Sequence, residues 1–360
     1  MPETETVEEA RRAMEVCNAC RYCEGYCAVF PAMTLYRSFA AGDLEYLANL
    51  CHDCRACYYA CQYAPPHPFG INLPQTLAEL RTETYAAHAW PPALARAFVR
   101  NGVVIASAAT VGIAIVVALT ASLAGAFAER QLGPGAFYRV IPWWVMALAA
   151  TAALAFSLAA GWRSTAAFRH STGTTRASPH GIVDMLTLRN LGGGGHGCND
   201  RGEAFSTARR WCHHALFYGF LLCFAATCVA TVYADLLGRP APYPLLSLPV
   251  LLGTIGGIGM IGGTLGLLWI KLSADPTPAS RKTLGGGYAL LVVLLLVAAT
   301  GLLLLGLRDT AAMGTLLALH LGAVLSLFLL WPYSRLIHAP YRSAALLRAA
   351  AERSRATSDV

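Results

Sequence analysis

Six stretches of the chain are apolar for about twenty residues or more: about 102–128, 142–162, 212–234, 245–271, 286–307 and 312–333. A helix needs roughly 20 residues to cross a hydrocarbon core of about 30 Å. Lipid offers no partner for a backbone amide, so at that depth the chain must satisfy its hydrogen bonds within itself, and separate stretches of this length do so as α-helices. The sequence therefore predicts a mainly α protein with a six-helix transmembrane bundle. Composition agrees: of 360 residues 56% are hydrophobic and 13% charged, and the mean hydropathy of +0.48 lies outside the range of soluble domains.

Charge sets the orientation. Residues 163–210, 271–282 and 334–355 carry seven, three and five Lys/Arg, whereas the opposite loops carry only Arg130, Arg139, Arg239 and Arg308. Basic loops stay in the cytoplasm, so the N-terminal head, the long loop 163–210 and the C-terminus are expected on the cytoplasmic side of a bacterial-type inner membrane. The net charge of +7 is then a topology signature, and no nucleic-acid partner is implied. The span interiors hold no Asp, Glu, Lys or Arg, which argues against a transport relay. Glycines four apart in "GTIGGIGMIGGTLG" read as a helix-packing face.

Residues 1–95 are of another kind. Eight of the twelve cysteines fall before residue 62, in "CNACRYCEGYC" at 17–27 and "CHDCRACYYAC" at 51–61. Both have the spacing C-x2-C-x2-C-x3-C. Three thiolates at two-residue gaps wrap one corner of a 4Fe-4S cubane, and the fourth reaches over to the neighbouring cluster. One cluster is therefore assigned to Cys17, Cys20, Cys23 and Cys61, the other to Cys51, Cys54, Cys57 and Cys27. Structural zinc uses separated Cys pairs or Cys/His mixtures, which fits two identical four-point runs poorly. The opening "MPETETVEEA" is no secretory leader, so disulfides are the weaker alternative. Ala28 and Gln62 stand where a proline usually follows the fourth cysteine. His52 and His67 read as solvated or loop-packing residues.

Histidine is costly in a bilayer. The third span opens "RRWCHHALFYGF", with His213 and His214. The sixth, "HLGAVLSLFLLWPYSRLIHAPYR", holds His320 and His338, which share a face on an unbroken helix, although Pro332 can bend it. Spans three and six run in opposite directions, so His338 can face His214 or His213, and two facing imidazoles are what a six-coordinate haem b requires. His214 is the preferred partner. His320 finds no partner at matching depth, where Ala234 stands, so one haem is expected and a second lacks a ligand. Cys212, Cys223 and Cys228 read as small apolar residues. The loop 163–210, with "GGGGHG" at 192–197, is a linker, a dock for a partner or a lid over the haem edge.

The sixth span resembles the haem-bearing helix of the nitrate reductase gamma subunit cytochrome b family. The double cysteine head, "LRNLGGGGHGCND", "RRWCHHALFYGFLLCFAAT", "GRPAPYPLLSLPVLLGTIGGIG" and "RDTAAMGTLLALHLG" resemble the citrate/tricarballylate utilisation protein B family (TcuB/CitB) over nearly the whole chain. The resemblance implies a membrane iron-sulfur and haem protein. It would take electrons from the reduced FAD of a partner dehydrogenase of the tricarballylate dehydrogenase type and send them to the membrane quinone pool. The expected layout is a ferredoxin-like 4Fe-4S domain at 1–95, a haem b membrane domain at 96–340 and a basic tail at 341–360. No catalytic residue for substrate oxidation is visible. A tricarboxylate membrane transporter and a membrane-tethered redox sensor are the alternative readings.

Overall fold

The computed structural model describes residues 3–123, 127–174 and 178–358. The head is built from α1 (Glu5–Cys20), α2 (Val29–Met33), α3 (Ala41–Leu50), α4 (Ala56–Tyr59) and α5 (Leu73–His88). Thr4 starts α1 by accepting the Val7 N–H on its side chain, and Asn72 does the same for Gln75 at the start of α5. α1 stops where Arg21 turns left-handed, with φ of 55°. The apolar sides of these helices meet in one core, in which Met14, Met33, Leu44, Leu47, Leu77 and Leu80 are fully buried. Each contributes about 1.5–3 kcal/mol by leaving water.

The rest of the chain forms α6 (Pro92–Leu123), the short α7 (Ala136–Val140), α8 (Trp143–Ser171), α9 (His180–Leu186), α10 (Ala208–Thr231), α11 (Leu248–Leu272), α12 (Leu284–Leu307), α13 (Met313–Leu330) and α14 (His338–Ser358). Among the described residues six helices, over Gly102–Leu119, Trp143–Ser171, Ala208–Leu236, Leu248–Leu272, Gly285–Leu307 and Met313–Leu330, are long and apolar enough to cross a membrane. Among the described residues there is no β-strand, only an isolated bridge between Cys198 and Ser206. The fold is thus mainly α, as expected. Along α11 a glycine stripe presses on α10: a Cβ at Gly219 would stand 2.7 Å from the Gly256 carbonyl, and one at Gly256 2.7 Å from that of Gly219. Small residues alone allow such an approach. Cys212 and Cys223 sit in this seam, Cys223 donating to the Gly253 carbonyl, whereas Cys228 is exposed.

Three element boundaries differ from the sequence reading, and each matters to the site. α6 begins at Pro92, ahead of residue 102, and the far end of the expected first span includes residues 124–126, outside the described residues. α8 runs past residue 162 to Ser171, where its end enters the head. There buried Glu45 of α3 accepts from Ser171 Oγ (2.8 Å) and lies 2.8 Å from Nε2 of His88 at the end of α5. Finally, the sixth span does not continue to His338. α13 ends at Leu330, Pro332 interrupts the backbone ladder, and Ser334 caps a short 3-10 turn, Arg335–Ile337, by accepting the Leu336 N–H. The shared face of His320 and His338 is lost with the helix register. The expected basic tail is α14, described to Ser358: Ala345, Leu346 and Ala349 enter the head core, and Tyr46 donates to Glu352 (2.7 Å).

Candidate functional site

The head cysteines lie together, with residues of the first run beside residues of the second. One pocket is lined by Cys17, Cys20, Cys23, Cys57 and Cys61, with apolar walls from Val16, Phe30, Ile71 and Leu73. Cys17 and Cys20 come from the last turn of α1, Cys23 from the loop after it, and Cys61 from just beyond α4. Burial, and then the proximity of Cys61, Cys23 and Cys20, push the Cys17 thiol up to about 12. Burial, then Cys61 and Cys20, do the same to Cys23. In the second set, burial and then Cys54 and Cys51 raise Cys27 well above the usual thiol range, and burial followed by Cys54, Cys27 and Cys51 raises Cys57. Cys57 also feels Cys23, so the two sets abut there. Among the described residues no three His, Cys, Asp or Glu side chains are gathered closely enough for a single metal ion. Crowded, buried thiols resist ionising unless the group they hold carries positive charge of its own. All-sulfur donors around an apolar pocket fit an iron-sulfur core.

The backbone between Cys51 and Cys57 is bent sharply. Asp53 and Arg55 take left-handed φ values of 55° and 63°, and the Asp53 N–H donates to Cys51 Sγ (3.4 Å). Such strain clusters at sites that must hold a fixed geometry.

The loop between α8 and α10 covers this second set. The 3-10 turn Arg189–Gly195 brings Gly193, at φ of +51°, so close that a Cβ would lie 3.7 Å from Cys54 Sγ. The left-handed backbone favours glycine there, while a Cβ would make only ordinary contact with Cys54. Asn199 donates its N–H to the Cys54 carbonyl (2.8 Å), and Cys198 exchanges backbone bonds with Ser206 (2.8 and 2.9 Å). Cys198 is fully buried beside Cys54, and burial followed by that neighbour pushes the Cys54 thiol up to about 12. Arg209, at the start of α10, pairs with Asp200 and donates to the Asp53 carbonyl (2.6 Å). "GGGGHGCND" marks this segment in the sequence, but nothing there points to Cys54.

Behind the second set lies a shell of cations and histidines. Arg81 of α5 and Arg342 of α14 both donate to the Cys51 carbonyl, each at 2.6 Å. His52, next to Cys51, is partly exposed, but its Nδ1 is buried without a hydrogen-bond partner among the described residues. Burial, then Arg342, holds its imidazole well below the ordinary range, and it feels His213 too. His67 does pack in its loop, accepting the Phe69 N–H on Nδ1 (3.1 Å).

The structure brings His213, not His214, against His338: the rings are 6.2 Å apart by centroid and inclined at 86°. Two metal–nitrogen bonds end to end span about 4 Å, and adding the two ring radii gives about 6 Å, so the pair suits one iron between them. Adjacent residues on a helix point about 100° apart, and His214 instead stacks on Tyr218 at 5.7 Å, with Trp211 at 5.9 Å. His338 Nδ1 is 2.6 Å from the Arg335 carbonyl, which fixes the proton there and leaves Nε2 free. Burial, then Arg342 and His213, lower the His338 imidazole to about 3, so it is neutral, as a ligand must be. His320 is apart from this pair, with Nδ1 at 3.1 Å from Thr300 Oγ1.

Residues 96–359 match the family profile described as "Citrate utilization protein B", and residues 10–87 the one described as "Citrate utilization protein B Fer4-like domain". The chain is 45% identical over 362 residues to the "Citrate utilization protein B" of Escherichia coli, covering 98% of this chain and 94% of that protein. No solved structure matches it. With both profiles matched and that identity spanning nearly the whole of both proteins, the chain belongs to the citrate utilization protein B family.

Proposed function

We propose that the chain is a membrane-bound electron-transfer protein of citrate or tricarballylate utilisation, linking the reduced flavin of a separate FAD-dependent dehydrogenase to membrane quinone. The observation that carries this reading is linear order: the Cys17/Cys20/Cys23/Cys61 pocket, the Cys27/Cys51/Cys54/Cys57 set, then His52 and the His213–His338 pair. Bound at these places, two 4Fe-4S clusters and one haem b supply reversible one-electron steps. The residues do the rest. Cys20 sits among exposed neighbours, Arg21 and Tyr22, which lets a partner approach the first set. The loop from Gly193 to Asn199 keeps water and partners from Cys54. His338 and His213 offer facing imidazoles at the head end of the bundle. With the head on the cytoplasmic side, as the basic loops indicate, electrons reach the membrane edge without crossing the bilayer.

Absorbance spectra and iron, sulfide and haem analyses of anaerobically purified protein, before and after dithionite, test this. About eight non-haem irons with equal sulfide and a low-spin b-type haem are expected. Stoichiometric zinc without sulfide, or no haem, would refute it.

A further inference from the structure

Six cations crowd the junction of head and bundle, and four are already engaged. Arg81 and Arg342 end on the Cys51 carbonyl, Arg55 on the carbonyls of Asp200 and Asp275, and Arg209 on the Asp200 carboxylate. Lys271, at the end of α11, and Arg335, in the turn before α14, remain. Arg335 donates to the Thr283 carbonyl (2.5 Å), and the Lys271 ammonium rests 4.9 Å from the centre of the Tyr288 ring. Among the described residues neither is ion-paired with a carboxylate; Asp53 is the acid both feel.

Both converge on one bare patch at the start of α12. A Cβ at Gly287 would stand 2.9 Å from Lys271 Nζ and 3.7 Å from Arg335 Cδ, and one at Gly286 3.9 Å from Arg335 Cγ and Nε. Two like charges, half withdrawn from water over two glycines, are unfavourable unless an anion joins them. The patch adjoins the histidine pair, because the carbonyl of Arg335 itself faces His338 Nδ1 and the Arg335 charge reaches that ring.

We propose that Lys271 and Arg335, over the Gly286–Gly287 patch, hold the two propionate carboxylates of the haem ligated by His213 and His338; this rests on the haem reading above. A lipid phosphate is the other acidic oxyanion that could lie there. It brings one phosphate from the bilayer side, whereas the porphyrin brings two carboxylates tied to the iron that His338 faces. The guanidinium fork and the ammonium suit one carboxylate each.

The test uses full-length protein made without haem, purified in detergent and titrated with haemin or with its dimethyl ester, which lacks both charges. Low-spin absorbance reports binding. Wild type is expected to prefer haemin by about tenfold or more, since a hydrogen bond to a charged group is worth about a factor of ten in affinity. In the Lys271→Gln/Arg335→Gln double variant the preference should vanish while the band positions stay. Gly287→Asp places a carboxylate of the chain's own between the two cations, and it should weaken haemin but spare the ester. Equal binding of both porphyrins by wild type overturns the proposal and leaves the histidine ligation standing. So does a preference that survives in the double variant while a co-purified anionic lipid is lost. If wild type binds neither porphyrin in low-spin form, the haem reading itself fails and the proposal falls with it.

Discussion

His213 and His338 approach to 6.2 Å between ring centroids although one lies in the first turns of α10 and the other opens α14, with α11, α12 and α13 between them in the chain. Replacing either by alanine is therefore expected to abolish the low-spin b-type spectrum. His214→Ala should keep it, because that ring stacks on Tyr218, and so should His320→Ala, whose partner is Thr300. A reduced-minus-oxidised spectrum of each variant decides; loss of haem in His214→Ala alone would transfer the ligand role to it.

The proposed crossed ligation of the cysteines makes a sharper prediction than their number. Cys61→Ala should remove the cluster shared with Cys17, Cys20 and Cys23, and Cys27→Ala the one shared with Cys51, Cys54 and Cys57. Each variant should hold about half the iron, and low-temperature electron paramagnetic resonance should show different surviving signals. Uncrossed ligation reverses the pairing: Cys61→Ala would then match Cys57→Ala and not Cys17→Ala.

Two guanidinium groups on one carbonyl bear on the order of potentials. Arg81 and Arg342 lie against Cys51, and positive charge favours the reduced, more negative form of the nearby cluster. A unit charge some 8 Å away at an effective dielectric of 20 is worth about 2 kcal/mol. The cluster at Cys51 should thus have the higher potential of the two. Arg342→Gln should lower it by on the order of 50–100 mV, with the other nearly unmoved, in a redox titration followed by paramagnetic resonance. A shift of both clusters together would point to unfolding of α14 instead.

Much of this was legible in the sequence. Span number, cysteine spacing and the lack of charge in the span interiors each follow from a local rule of length, period or desolvation. What was not legible depends on rotation and tertiary contact. His213 and His214 differ by one residue, and only the placement of α14 says which of them faces inward. The break after Leu330 removes the register that linked His320 to His338. The Ala-rich stretch after His338 looks like a soluble basic tail, because alanines at 345 and 349 do not announce a core of their own; they fill one belonging to the head. The glycine-rich segment shows no sign that Gly193 covers Cys54, since that contact spans more than a hundred residues of chain.

Acid should loosen the head from the bundle. Burial pushes the Glu45 carboxyl up, but His88 and Ser171 pull it further down, and the net position is below the ordinary value of 4.5. A carboxyl whose folded value is depressed contributes stability that is fully present above its unfolded value and fades as pH falls through the folded one. The thermal midpoint should therefore drop as pH falls below about 4.5, and Glu45→Gln should flatten that part of the profile while lowering stability at neutral pH. A variant profile as steep as wild type would assign the acid sensitivity to other groups.

Direction of flow separates electron transfer from transport. The first cysteine set borders exposed residues, while the second is covered by Gly193 and Asn199 and backed by Arg342 and His52. On the proposed reading a flavoprotein partner is expected to meet the first set, since Cys54 of the second is buried. If the proposed function holds, membranes holding this chain and a partner dehydrogenase should reduce haem b when the dehydrogenase's substrate is added, and a short-chain quinone should reoxidise it. Cys20→Ala and Cys54→Ala should each stop that reduction, although dithionite still reduces the haem directly, which shows that the haem site has survived. A carrier behaves otherwise: it would accumulate labelled tricarboxylate in sealed vesicles without the dehydrogenase, and its haem would ignore the substrate. Uptake together with an inert haem would overturn the electron-transfer reading, because nothing in a substrate path requires two thiol sets leading in order to a histidine pair.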